Sequence, residues 1–225
     1  MSTAGDQHRC DEGVAFFGAV VAAQCHEVIN VLNILNEVAG LIEDLSAAPA
    51  DERGRVQALA QKLQAQVQRG QGLVRSISHF AHSTDANHAV IDAVDLLRGA
   101  LDLLERPVRL TNSTLSHDFH DSPVVIETCP YLLLQLVFSA VQVWLETPPV
   151  ALTLRIRPVD QGLLVELDGQ AFPDPLTKAA QQRVSGVRQQ LHALGGTLRA
   201  CPPEHNARIA FWLPAHAGTA TAHVS

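Results

Sequence analysis

Aromatic side chains supply only 4% of the 225 residues, so any core must be built from Leu, Val, Ile and Ala. Positive charge is also scarce: 16 Lys and Arg stand against 23 Asp and Glu, a net charge of -7. Split at residue 90, basic and acidic residues number 6 and 10, then 10 and 13. Neither half offers a basic face for a phosphate backbone, so no nucleic-acid partner is expected. No apolar run approaches the roughly 18 residues needed to span a bilayer. The opening MSTAGDQHRCDEG carries acids where a signal peptide would be apolar. Cys10, Cys25, Cys129 and Cys201 are scattered without a CxxC pair, which argues against a disulfide framework or zinc knuckle. A cytoplasmic protein with reduced thiols and no membrane contact is the expectation. HxxH spacings occur at His79/His82 and His117/His120, but no thiolate or carboxylate stands at ligand spacing, so no metal site is expected.

What is present is helical periodicity. From Gly13 to Ser46 no proline interrupts the chain. One seam reads Val14, Gly18, Val21, Cys25, Val28, Leu32, Leu35, Ala39, Ile42, in the alternating steps of four and three that mark bundle packing. A second stripe runs beside it through Val31, Ile34, Val38, Leu41 and Leu45. The segment AAPADE, Ala47 to Glu52, supplies a stop and a new start. A second helix is expected from about Asp51 to His82, with a seam through Val56, Ala60, Leu63, Val67, Gly70, Val74, Ile77 and Ala81. The two form an antiparallel hairpin. A lone hairpin cannot bury both stripes of its first helix, so a homodimer with a four-helix bundle is predicted. Packing of the second stripe on the C-terminal domain of the same chain is the alternative.

Cys25 and Val28 take seam positions, which leaves His26 one step off the core. Helical steps forward from His26 reach Asn30, Asn33 and Glu37, a polar stripe on an otherwise apolar helix. The string HEVINVLN resembles the phosphoacceptor box of two-component histidine kinases, where a histidine is followed by an acid and then by Asn or Thr. The resemblance implies that His26 accepts a phosphoryl group on one ring nitrogen. It gives Glu27 the task of hydrogen-bonding the other nitrogen and orienting the imidazole, and it places Asn30 near the incoming phosphoryl oxygens. The chemistry agrees, because an imidazole titrating around pH 6.5 offers a free lone pair at neutral pH.

After His82 the polar STDANHAVID reads as a boundary. Beyond it a helix is expected at Ile91–Leu104, strands at Val108–Thr111 and Val124–Glu127, and a helix at Cys129–Leu145. Strands follow at Ala151–Arg157 and Leu163–Leu167, and a helix at Lys178–Leu194 ends in Gly195-Gly196. Strands at Thr197–Cys201 and Arg208–Leu213 close a mixed α/β sandwich with helices on one face. This order, and the ending GVRQQLHALGGTLRA…RIAFWLP, resemble the ATP-binding domain of the same kinases. The nucleotide boxes depart from the pattern. Where the family has NLxxNA, with Mg²⁺ on its second Asn, Gln135 to Ala140 read QLVFSA. The adenine-reading DxGxG is matched only by Asp168-Gly169-Gln170-Ala171-Phe172, and the phosphate-binding GxGxG shrinks to Ser185-Gly186-Val187. The lid between them is short and carries Pro173 and Pro175.

The layout therefore resembles the dimeric histidine phosphotransferases of bacterial phosphorelays, built like a histidine kinase with a degenerate ATPase domain. The expected division is a disordered N-terminus at 1–12, a hairpin for dimerisation and phosphoacceptance at 13–84, the degenerate α/β domain at 90–215 and a flexible tail at 216–225. The implied function is passage of a phosphoryl group between receiver-domain aspartates through His26, with no ATP binding and no autophosphorylation. No cofactor is expected, since the receiver would supply Mg²⁺. The implied partners are response-regulator receiver domains and a hybrid histidine kinase, docking on Val21, Ala22, Ile29, Asn33 and Glu37. Partner choice would lie on exposed positions such as Asn33, Glu37, Arg75 and His79. A pseudokinase adaptor, or a response-regulator phosphatase in which Glu27 and Asn30 position water, are the alternatives.

Overall fold

Two helices with no proline between their ends build the first unit. In the computed structural model, which describes residues 4–46, 53–146, 150–170, 176–201 and 208–216, helix α1 spans Ala4–Ser46 and α2 spans Arg53–His82. The 43 residues of α1 reach about 65 Å at ~1.5 Å per residue. The helix starts at Ala4 and not at Gly13, so residues 4–12, expected to be disordered, are its first turns. Nothing between Asp6 and Glu12 breaks a helix. The AAPADE connection, the lid prolines and the tail beyond His216 lie outside the described residues.

The hairpin packs on a different face from the one its heptad spacing suggested. Val20, Gln24, Glu27, Val31 and Val38 are buried, while Val14, Gly18, Cys25, Leu32 and Ala39 of the expected seam are exposed. On α2, Leu73 and Ser76 are buried, while Ala60, Val67 and Val74 of its expected seam are exposed. The reason lies at Gly70. A Cβ there would stand 3.2 Å from the Val31 side chain, so the glycine lets α2 approach the stripe that contains Val31. One partner helix covers one stripe, and the other is left outside. By length and composition, Gly13–Leu45 is long and apolar enough to cross a membrane, contrary to the expectation from uninterrupted runs. Gln24, His26, Glu27, Asn30 and Asn33 interrupt the runs without lowering the average enough.

The second compact unit is Phe80–Ser225. It takes in the end of α2, where Phe80 is buried and its ring lies 6.0 Å from that of Tyr131. Strand β1 (Ala89–Asp92), within the stretch read as a boundary, pairs antiparallel with β3 (Val125–Thr128). Asp92 then caps helix α3 (Ala93–Leu110), its carboxylate accepting from the Val94 and Val124 amides at 3.0 Å each. The strand expected at Val108–Thr111 does not form. Leu103, Leu104 and Val108 are buried along one face, and that packing carries the helix through Pro107 to Leu110, with Thr111 as its cap. Asn112, at φ 53°, turns the chain into an unforeseen strand β2 (Thr114–Phe119).

Helix α4 (Pro130–Leu145) and strands β4 (Ala151–Val159) and β5 (Gly162–Asp168) follow. Helix α5 (Lys178–Ala193) and strands β6 (Thr197–Ala200) and β7 (Arg208–Pro214) complete the unit. The five-stranded sheet has the order β2-β4-β5-β7-β6, with β2 and β4 parallel and the other neighbours antiparallel. Gly195, at φ 68°, ends α5 as the double glycine predicted. Period-two alternation sorts the sheet into two faces. Leu152, Leu154, Ile156, Leu163, Val165, Leu167, Ile209, Phe211 and Leu213 are buried against the helices. Arg155, Arg157, Glu166, Asp168 and Arg208 alternate with them on the other side.

Candidate functional site

His26 is exposed on the flank of α1, and Asn30, Asn33 and Glu37 are exposed with it. Ala22 and Ile29 are also exposed and share this solvent side, while Val21, expected to dock a partner with them, is half-buried and lies about 140° round the helix. Glu27, one residue on, turns about 100° around the helix axis. Its side chain is 7% exposed and enters the interior of the hairpin. There Arg69 Nη2 of α2 donates to Glu27 Oε2 at 2.9 Å. The arginine is 36% exposed, so the pair runs from the interior to the surface. A buried carboxylate with no cation would be expensive, and the pairing offsets that desolvation. Sequence reasoning missed Arg69 because it lies 42 residues from its partner. In an antiparallel hairpin, residues about equally far from the connection come face to face; that count brings both Arg69 and Arg75 near Glu27, and Arg75 is exposed while Arg69 reaches the carboxylate.

In the α/β unit, the residues that correspond by sequence to the nucleotide boxes lie in α4, at the end of β5 and in α5. Helix α4 is mostly apolar: Gln135, Leu136, Val137, Phe138 and Ala140 are buried, and Ser139 is half-buried. Asp168, matched by sequence to the adenine-reading aspartate, points to the face of the sheet away from α4. Its carboxylate accepts from Arg155 of β4 and, at 2.6 Å, from Arg208 Nε of β7. On the α4 side the end of β5 presents Leu167, which is buried, and the indole of Trp144 lies against Gly169. A Cβ on Gly169 would stand 2.7 Å from that ring. Ser185, Gly186 and Val187 sit inside α5, where backbone amides are used by helix bonds and cannot cradle phosphate. The N-terminus of α5 is itself capped, by Thr177 Oγ1 accepting from the Ala180 amide at 3.1 Å. Among the described residues, no group of three or more His, Cys, Asp or Glu could hold a metal ion.

No protein-family model matches the chain, and no curated protein matches it by sequence. Solved structures do align. The catalytic domain of histidine kinase ThkA, in a nucleotide-free form, aligns with a TM-score of 0.50 at 14% identity, covering 59% of this chain and 98% of that one. This likeness is one of fold: over the aligned part, the chain has the fold of a histidine kinase catalytic domain. Acinetobacter baumannii histidine kinase AdeS aligns at 0.46 and 16% identity, over 84% of this chain and 98% of that one. A bacterial phosphotransferase aligns at 0.43 and 13% identity, over 88% of this chain and 95% of that one.

Proposed function

We propose that the chain is a histidine phosphotransferase of a two-component phosphorelay, built on a histidine-kinase-like fold that no longer uses ATP. The observation that carries the reading is the setting of His26: an exposed imidazole in a HEVIN box, on a polar stripe of a long hairpin helix. The turned-away Asp168, the helical Ser185-Gly186-Val187 and the apolar α4 support the absence of nucleotide chemistry. In the proposed step, a lone pair on one ring nitrogen attacks the phosphorus of a receiver's aspartyl phosphate. The phosphorus–oxygen bond breaks, the aspartate leaves as carboxylate, and the ring keeps its proton on the other nitrogen. Attack places positive charge on the exposed ring; Glu27, to which the resemblance assigns the orientation of the imidazole, is turned into the hairpin interior and held there by Arg69. Asn30 stands one turn on, beside the incoming oxygens. Mg²⁺ comes with the receiver. The reverse step, onto a second receiver, passes the group forward.

Val21, Ala22, Ile29, Asn33 and Glu37 form the docking side for the receiver and for a hybrid kinase that donates the group. The exposed Val14, Leu32, Val67 and Val74 are covered by a second copy in a four-helix bundle. The pairing of Glu27 with α2 and the polar stripe suit a bundle helix in the cytoplasm better than a membrane span. The test is incubation of the chain with a phosphate-labelled receiver domain. Label on His26, absent in His26→Ala, is the expected result. Release of phosphate to solvent without labelled protein marks a phosphatase, and binding with neither outcome marks an adaptor.

A further inference from the structure

We infer that Arg75 binds the phosphoryl group while His26 accepts it, an inference that rests on the phosphotransfer reading above. Level and side both bring the two residues together. The helices touch where Gly70 meets Val31, and a Cβ on the glycine would stand 3.2 Å from that side chain. Five residues back from Val31 is His26, and five residues on from Gly70 is Arg75, so in antiparallel helices of equal rise the two stand level. His26 falls two residues after buried Gln24 and one before buried Glu27. Arg75 falls two residues after buried Leu73 and one before buried Ser76. Each leaves its inward row by the same turn, at about 100° per residue, and the two rows face each other, as the Arg69–Glu27 bond records. In an antiparallel pair, equal turns from facing rows emerge on the same side. Charge then singles out Arg75. It is exposed, and among the described residues no carboxylate pairs with it, whereas Arg69 is engaged by Glu27. The nearest acid on the polar stripe is Glu37, about three turns along α1 from His26. A phosphoryl group in transfer spreads negative charge over its equatorial oxygens, and a guanidinium presents a planar fork of N–H donors to such oxygens. Asn30 can donate a hydrogen bond there but carries no charge. Arg75 meets that charge, donating to the phosphoryl oxygens as the phosphorus passes from the receiver's aspartate to the ring nitrogen. No proton moves in this contact, and the aspartate still leaves as carboxylate.

The experiment measures labelling of His26 in the full chain with two donors: a phosphorylated receiver domain, and phosphoramidate. With phosphoramidate the phosphorus–nitrogen bond breaks and ammonia leaves as the ring nitrogen takes the phosphoryl group, so no receiver docking is involved. Arg75→Ala is expected to slow labelling by both donors by roughly tenfold, less than the loss of a water-excluded donor because Arg75 is exposed. The receiver concentration for half-maximal rate should stay unchanged. Arg75→Lys keeps the charge without the planar fork and should recover part of the rate. Arg55→Ala removes a cation twenty residues away on the same helix and should label at the wild-type rate. Should Arg75→Ala fail to fold, Arg75→Gln, which keeps part of the aliphatic stem, takes its place. Wild-type labelling by phosphoramidate in the folded variant overturns the inference. So does a loss seen only as a raised half-maximal receiver concentration, which marks a docking contact, or an equal loss in Arg55→Ala, which marks net charge. Each of these leaves phosphotransfer standing. A wild-type chain that neither donor labels at His26 removes the phosphotransfer reading and this inference together.

Discussion

Asp168 and Arg208 are direct cross-strand partners on β5 and β7, and the guanidinium Nε lies 2.6 Å from the carboxylate Oδ1. Arg155 takes the other oxygen from β4, and Arg208 also donates to Glu166 at 2.9 Å. The carboxylate ties three strands of the sheet on its helix-free side. Asp168→Ala is expected to cost about 1–2 kcal/mol, since the arginines are partly exposed and the bonds are charge-assisted. Thermal denaturation checks this, and the difference from wild type should shrink at high salt. Titration calorimetry with Mg-ATP should show no binding by either protein.

His26→Ala should separate chemistry from stability. The side chain is exposed, and Ala is the better helix former, so the melting temperature should stay within the change expected for about 0.5 kcal/mol. Acceptance of phosphate from a labelled receiver should vanish. A large loss of stability would mean that the imidazole is structural.

Leu32 is 57% exposed on the face of α1 that the hairpin leaves open. Leu32→Glu should turn a dimer into a monomer by analytical ultracentrifugation while the helical circular dichroism of the hairpin persists. A wild-type protein that sediments as a monomer at micromolar concentration contradicts the four-helix bundle.

Two glycines should respond in opposite senses. Gly70 faces Val31 across the hairpin, so Gly70→Leu forces the helices apart and should cost roughly 1–3 kcal/mol. Gly40 has open space around it in α1, so Gly40→Ala should stabilise the helix by up to about 1 kcal/mol. Denaturant unfolding followed by circular dichroism measures both.

Much of this architecture was legible because its signals are local. The prolines and the double glycine punctuate α4 and α5, and the alternating Leu152, Leu154, Ile156 and Leu163, Val165, Leu167 announce β4 and β5. Strand β2 was not legible, because His117 stands in its inward row between Leu115 and Phe119 and breaks the apolar alternation. The end of α3 was misread because β-branched Val108 and the preceding Pro107 favour a strand locally, while tertiary burial decides for helix. At the site, the exposed flank of His26 and its polar stripe followed from helical spacing, and the phosphoacceptor expectation from the resemblance of HEVINVLN. Which stripe α2 would cover did not, since the two are nearly equal in apolar content and a missing Cβ at Gly70 tips the choice. The direction of Asp168 was readable in principle: alternation from Leu163 places Leu167, and not Asp168, on the helix side.

The parallel pairing of β2 with β4 sets an order of assembly. Strands β4 and β5 meet through a two-residue turn at Asp160 and Gln161, so their ladder closes a short loop and can form early. Strand β2 joins β4 only after β3 and the whole of α4 have crossed between them, and it lies at the edge of the sheet. Its ladder therefore carries the larger loop-closure entropy and has a neighbour on one side only. It is the last strand to lock and the first to open, which makes the edge that carries His117 and Asp118 the softest border of an otherwise locally wired sheet.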